Sequence, residues 1–237
     1  MSKTILHTAE SRGTTNLGWL HSRHSFSFGD YYDPERIHFG ALRVINDDMI
    51  APGQGYGMHP HSNMEIITIP LEGELEYKDD MNNGSVIGKG DVQVMGAGTG
   101  VFHSEVNRNK DRSVSFLQIW VVPKVQKAKP HYEQRYYRTN INELTEILSP
   151  DLHEQHLWLF QDIWFYIGKM QTGQSLDYLL KKPNLNGVYI FVIQGEMIVN
   201  EQLLKQRDGY GLWEISTIRF TAKTECEFLV MEVPMKT

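Results

Sequence analysis

The chain has one cysteine, Cys226, among 237 residues. A disulfide within the chain is therefore excluded, which suits a reducing compartment, and Cys226 in its apolar run reads as a small buried hydrophobe. Positive charge is also short: 23 Lys and Arg stand against 29 Asp and Glu, a net charge of −6. No diffuse positive field exists to hold a phosphate backbone, so direct nucleic-acid binding is disfavoured. No apolar run is long enough to cross a bilayer as a helix, and no membrane association is expected. The start, Met1-Ser2-Lys3-Thr4-Ile5, continues into polar residues rather than the apolar core of a signal peptide, so the expected location is the cytoplasm. Helical patterning is scarce. Its clearest candidate is 140–148, where Asn140 would cap a turn and Glu143 stands three residues on.

What is present is an all-β pattern on an ordinary globular composition, 41% apolar and 22% charged. Short runs rich in β-branched and aromatic residues recur between Gly, Asn and Asp. The first series covers 39–45, 65–70, 74–77, 91–95, 101–106 and 114–122. The second covers 157–170, 187–193, 196–200, 210–215, 217–222 and 227–233. Between them 122–131 carries Pro123, Pro130, Lys124, Lys127 and Lys129, the composition of a surface connector.

The halves resemble each other. Ile66-Ile67-Thr68-Ile69-Pro70-Leu71-Glu72-Gly73-Glu74-Leu75 parallels Tyr189-Ile190-Phe191-Val192-Ile193-Gln194-Gly195-Glu196-Met197-Ile198, and each half ends on a strand closed by Val-Pro. Two copies of one β-barrel unit account for this. The expected organisation is an N-terminal barrel over 1–123, a connector over 124–145 and a C-terminal barrel over 146–237.

Of the ten histidines, only His59-Pro60-His61 places two residues apart in a β context. Residues i and i+2 of a strand point the same way, so both imidazoles are available to one metal. His103-Ser104-Glu105 repeats the spacing in the run 101–106. Two such pairs on neighbouring strands aim three imidazoles and one carboxylate at a point, a donor set suited to a divalent first-row metal. Glu65 also lies at an even spacing from His61, so alternation alone leaves it a candidate. Glycines precede both pairs, Gly53, Gly55 and Gly57 in one case and Gly96, Gly98 and Gly100 in the other, and they let the backbone bend at a barrel mouth. The run Gly96-Ala97-Gly98-Thr99-Gly100 is not a phosphate loop, because a β pattern follows it where a helix is needed. No histidine follows His156, so the second barrel is expected to hold no histidine metal site. His153-Glu154-Gln155-His156 reads as a solvated loop.

These residues carry a family resemblance. His24-Ser25-Phe26-Ser27-Phe28-Gly29, Leu42-Arg43-Val44-Ile45-Asn46-Asp47-Asp48, Ala51-Pro52-Gly53-Gln54-Gly55, His59-Pro60-His61 with Met64-Glu65-Ile66, Ala97-Gly98-Thr99-Gly100, His103-Ser104-Glu105 and Gln118-Ile119-Trp120 resemble the bacterial pirin-like proteins of the cupin superfamily. The resemblance implies a bicupin, two tandem jelly-roll barrels, whose first barrel holds one metal through His59, His61, His103 and Glu105. Iron(II) is the first expectation for that metal, with nickel, copper, manganese and zinc as alternatives. Two departures from the pattern stand out: Ser62-Asn63 replaces a basic and an acidic residue, and Tyr77 replaces a histidine.

The same resemblance implies quercetin 2,3-dioxygenase activity, with a flavonol-like aromatic substrate and O₂ as reactants and Glu105 as both ligand and catalytic base. Met58, Phe102 and Trp120 are the candidates to line a flat apolar pocket. The alternative is a metal- or redox-sensing protein that acts on a regulatory protein partner without turnover, as is thought of eukaryotic pirin. A zinc hydrolase or isomerase fits less well, because four protein ligands fill a tetrahedral zinc.

Overall fold

The structure is a computed structural model and describes residues 2–151 and 156–236. Among these residues there is no α-helix, and one 3-10 turn, Ala9–Ser11, is the sole helical element. Every strand pairing is antiparallel, in four sheets. The outer sheet of the first barrel runs β5 (Gly55–His61), β10 (Val101–Asn107), β7 (Glu74–Asp79), β8 (Gly84–Gly88). Its inner sheet runs β12 (His131–Tyr136), β9 (Asp91–Gly96), β6 (Glu65–Glu72), β11 (Val114–Val121), β4 (Leu42–Ile50), β3 (Leu20–His24), β2 (Gly13–Asn16). The inner sheet of the second barrel runs β1 (Lys3–His7), β19 (Gly209–Trp213), β16 (Asn186–Gln194), β21 (Cys226–Pro234), β14 (Trp164–Met170), β13 (Glu143–Leu148). Its outer sheet runs β15 (Ser175–Leu179), β20 (Thr217–Ala222), β17 (Met197–Val199), β18 (Gln202–Leu204).

The two inner sheets face each other. Ile67, Ile69, Val92, Val94, Leu117, Ile119 and Val121 of the first pack with Phe165, Ile167, Phe191, Leu229, Met231 and Val233 of the second in one buried cluster. The alternate residues of the same strands turn into the barrels. Ile66 and Met95 pack with Tyr77 and Val101 inside the first barrel, and Val188, Val230 and Phe228 pack with Phe220 and Met197 inside the second. Both inner sheets are therefore buried on both faces, which explains why their strands read as continuous apolar runs.

The repeat seen in the sequence is a structural repeat. Gly73 and Gly195 each turn the chain from an inner strand to an outer one, with φ of 80° and 84°. At each, an added Cβ would collide with the backbone entering the final strand, Ser113 and Val114 in one barrel, Glu225 and Cys226 in the other. Only glycine meets both demands.

Three expectations need correction. The segment 140–148 is not helical: Asn142 turns the chain at φ 62° and Glu143–Leu148 becomes β13 on the edge of β14. The Asn140–Glu143 contact exists, but it joins two side chains across the turn, 2.9 Å apart, and caps nothing. Only the Trp164–Met170 part of the run 157–170 is strand. Finally, membership of the sheets crosses the expected boundaries, because β1 joins the second barrel while β12, inside 124–145, joins the first. The His153–Gln155 part of the loop reading lies outside the described residues.

Ile119 lies at the centre of the interface and is fully buried. Ile119→Ala is expected to cost about 2–5 kcal/mol through lost contacts and the cavity left behind. Urea unfolding followed by far-UV circular dichroism checks this.

Candidate metal centre

β5 and β10 are neighbours, paired His59 to His103 and His61 to Val101. Alternation turns all three imidazoles toward the inner sheet. Between His103 and Glu105 the register shifts, so Tyr56 and not Gly57 stands opposite Glu105. This bulge keeps Tyr56 and His59 on the inward face, as bulges do beside functional sites. The strands are pressed together here: a Cβ on Gly55 would run into the Glu105 carbonyl oxygen.

The three rings are in mutual contact, with centroids 4.4 Å apart for His59–His103, 4.8 Å for His61–His103 and 4.9 Å for His59–His61. One nitrogen of each lies within 4.8 Å of the others. His59 Nδ1 is 2.7 Å from the Gly57 carbonyl oxygen. That acceptor holds the proton on Nδ1 and leaves the Nε2 lone pair free, the usual support of a metal-binding imidazole. His103 is fully buried and neither ring nitrogen has a hydrogen-bond partner. Such a group is costly unless something accepts its lone pair, and a divalent cation shared with His59 and His61 fits. Burial, then the neighbouring imidazoles, pushes His103 down to about 3; burial, then His59, pushes His61 down to about 4. Both stay neutral, the form that binds metal.

Glu105 faces the same interior, and its carboxylate stands outside the group of three nitrogens. It accepts hydrogen bonds from Thr68 Oγ1 at 3.2 Å and Gln118 Nε2 at 2.6 Å, while burial raises it to about 7. Gln118 is itself oriented, since its Oε1 accepts the Trp120 indole N–H at 3.3 Å. The Trp120 ring meets His61 edge to face at 5.0 Å. Trp120 is thus at the site. Met58 and Phe102 are not brought to it: they are 56% and 51% exposed, each one residue out of phase with a histidine on its strand. Tyr77, the departure from the family pattern, is fully buried, contacts His103 at 5.4 Å, stacks on Tyr132 and donates to Asp79 Oδ2 at 2.9 Å.

Glu65 turns away from the histidines. At Asn63, with φ 49°, the chain passes from the outer to the inner sheet, and spacing across that turn no longer reports facing. Glu65 lies with Ile67 on the interface side, its Oε2 3.8 Å from His131 Nε2, and burial raises it to about 8. His131 stacks on Trp158 at 4.5 Å.

A row of polar residues on the interior face was not anticipated. Gln93, Thr68, Gln118, Asn46 and His24 are successive cross-strand partners over β9, β6, β11, β4 and β3, all buried. Asn46 Oδ1 and His24 Nδ1 are 2.8 Å apart, and Thr15 Oγ1 lies 2.8 Å from His24 Nε2. Asp48 follows Asn46 on the same face, fully buried; burial raises it to about 7, with Ser22 opposing and Glu105 adding to the rise. The available signal was a single polar residue interrupting each apolar run, as in Ile67-Thr68-Ile69 and Leu117-Gln118-Ile119.

The corresponding interior of the second barrel is packed with buried apolar side chains, among them Met197, Phe220 and Phe228. Glu232 there is fully buried and accepts from Tyr178 Oη at 2.6 Å, the Lys181 and Lys182 N–H groups at 2.9 Å, and Asn186 Nδ2 at 2.8 Å. Cys226, at the other end of the same strand, is buried, and burial pushes its thiol up to about 11. Among the described residues no helix is long and apolar enough to cross a membrane.

Asp48 gives a pH test on metal-free protein. In the fold it keeps its proton to about 7, against a reference value of 3.8. Between those values the folded state binds more protons than the unfolded one, so stability falls as pH rises. Asp48→Asn removes this contribution, and its urea midpoint is expected to gain on the wild type from pH 5 to 8.

Two family models match the chain, Pirin over residues 6–121 and the quercetinase C-terminal cupin domain over 146–233. The quercetin 2,3-dioxygenase of Escherichia coli K12 is 38% identical over 230 residues, covering 97% of this chain and 98% of the relative. A putative quercetin 2,3-dioxygenase of Pasteurella multocida is 35% identical over 227 residues, covering 95% and 97%. The crystal structure of Escherichia coli YhhW matches with a TM-score of 0.94 at 37% identity, over 98% of both chains. That of the bacterial pirin YhhW in complex with nickel(II) matches at 0.93 and 37%, over 98% and 99%. With its two stacked barrels and the histidines of the first, the chain belongs to the pirin family of bicupin proteins.

Proposed function

We propose that this protein is a metal-dependent dioxygenase of the quercetin type, cleaving a flavonol with O₂ at a mononuclear site in the first barrel. The observation that carries this reading is the buried trio His59, His61 and His103, with His103 lacking any hydrogen-bond partner, beside a carboxyl held near neutrality. His59, His61 and His103 hold the metal and Glu105 is the fourth protein group toward it. Iron(II) remains the preferred ion, and nickel gains support from the relative crystallised with it. Bound there, the metal supplies Lewis acidity toward the substrate oxygens and the redox chemistry that O₂ requires.

The chain's own residues handle the proton and the orientation. Glu105 is the base for the proton of the flavonol hydroxyl: burial raises it in the metal-free protein, and a cation beside it favours its charged, accepting form. Thr68 and Gln118 stabilise its charged form and hold its oxygens in place. Trp120, tethered by Gln118 and packed on His61 and Phe28, offers an aromatic wall to a flat substrate. Cleavage of the heterocycle consumes O₂ and releases carbon monoxide.

Metal content and aerobic loss of the quercetin absorption band, measured together, test the proposal. Wild type is expected to hold about one metal per chain and turn over; Glu105→Gln is expected to lose roughly 10²–10⁴ in rate. Gln118→Leu removes a hydrogen bond that lowers Glu105, so the acid limb of its pH–rate profile is expected to move to higher pH. Metal present without turnover in wild type overturns the dioxygenase reading in favour of a sensing role. Unchanged turnover in Glu105→Gln removes Glu105 from the chemistry.

A further inference from the structure

The two barrels do not close on each other everywhere. At the end of β6 remote from the histidines a cleft of about 650 Å³ opens between the inner sheets, within the range of small-molecule sites. Ile69 and Leu71 of the first barrel and Ile167 and Ile193 of the second give it apolar walls. Arg207 lines it as well.

Arg207 shares its paired carboxylate with a second cation. Its Nε lies 3.5 Å from Asp47 Oδ2, and Arg12 Nη1 lies 3.2 Å from the same oxygen. Two guanidiniums, that of Arg12 only 4% exposed, thus share one carboxylate. Arg207 Nη1 is buried with no acceptor. The adjacent Asp208 turns its oxygens to the Ala9 and Lys205 N–H groups, at 2.7 and 2.8 Å, and not to Arg207. Elsewhere in the lining, Glu227 pairs with Lys169 at 3.6 Å and Asp91 Oδ2 accepts the Gly88 N–H at 2.8 Å. Glu72, Lys89 and Arg138 line the cleft as well. A partly buried cation without a full counter-charge is costly, and a bound anion removes the cost.

We infer that the cleft between the barrels is a second ligand site, taking a small amphipathic anion, a carboxylate or sulfonate on an apolar body. The head group pairs with the accessible part of the Arg207 guanidinium, whose side chain is 24% exposed, and the body lies between Ile69 and Ile193. The site is independent of the metal centre, from which the first inner sheet separates it, and it stands whether or not the chain is a dioxygenase. Because Arg207 and Asp47 belong to different barrels, an anion bound there also ties the barrels together.

The test is fluorescence titration of the full chain with 8-anilinonaphthalene-1-sulfonate and with its uncharged analogue N-phenyl-1-naphthylamine. The sulfonate is expected to saturate at one per chain, and to bind about tenfold more weakly to Arg207→Gln, the loss of one charged hydrogen bond. Ser115→Trp, which fills the cleft from a half-buried strand position, is expected to abolish it. The uncharged analogue is expected to bind wild type about tenfold more weakly and to ignore Arg207→Gln. Removing the metal with a chelator is expected to change nothing. Equal binding of the two probes, wild-type affinity in both variants, absence of saturation, or loss on chelation overturns the inference.

Discussion

The first inner sheet is buried on both faces, and its period of two decides what each residue does. On β6, Ile67 and Ile69 dock the barrels while Thr68 between them holds Glu105. On β11, Leu117 and Ile119 dock while Gln118 and Trp120 face the site. A one-residue slip of either strand would exchange the two sets, putting the polar row into the apolar interface and the isoleucines against the histidines. The interface therefore sets the register that the site needs.

Burial also creates the site's chemistry. The same removal from water that lowers His61 and His103 raises Glu105 and Asp48, and it is the largest cause in each case. The result is neutral imidazoles beside carboxyl groups poised near 7, an arrangement that solvent would erase. Functional sites are where such opposed shifts gather. In the second barrel a buried carboxylate at β21 is bonded by four donors, which locks the loop over 181–182 onto the strand.

The two barrels and the histidine pairs were legible because each rests on a local rule: apolar runs for central strands, glycine at the turn into the outer sheet, and i, i+2 facing within one strand. What escaped the sequence was mostly at edges. β1, β2, β8, β12, β13, β15 and β18 all border their sheets, and their half-exposed, polar patterns resemble loops. Asn140 and Glu143 give β13 the sequence pattern of a helical turn, yet the edge of β14 offers it a row of hydrogen bonds. Glu65 was ambiguous because spacing was carried across the Asn63 turn. Asn46, Asp48 and Gln118 were visible as polar interruptions in apolar strands, but only the packing of one sheet on another shows which face they occupy.

The proposed chemistry requires the dry histidine trio of the first barrel to bind one metal. X-ray absorption at the metal edge, on protein loaded with iron(II) or nickel(II) and on the His103→Ala variant, tests it directly. Three imidazole nitrogens with oxygen completing the shell, and loss of the bound metal in the variant, are expected. Metal retained at full occupancy in His103→Ala, or a spectrum without imidazole scattering, would contradict it.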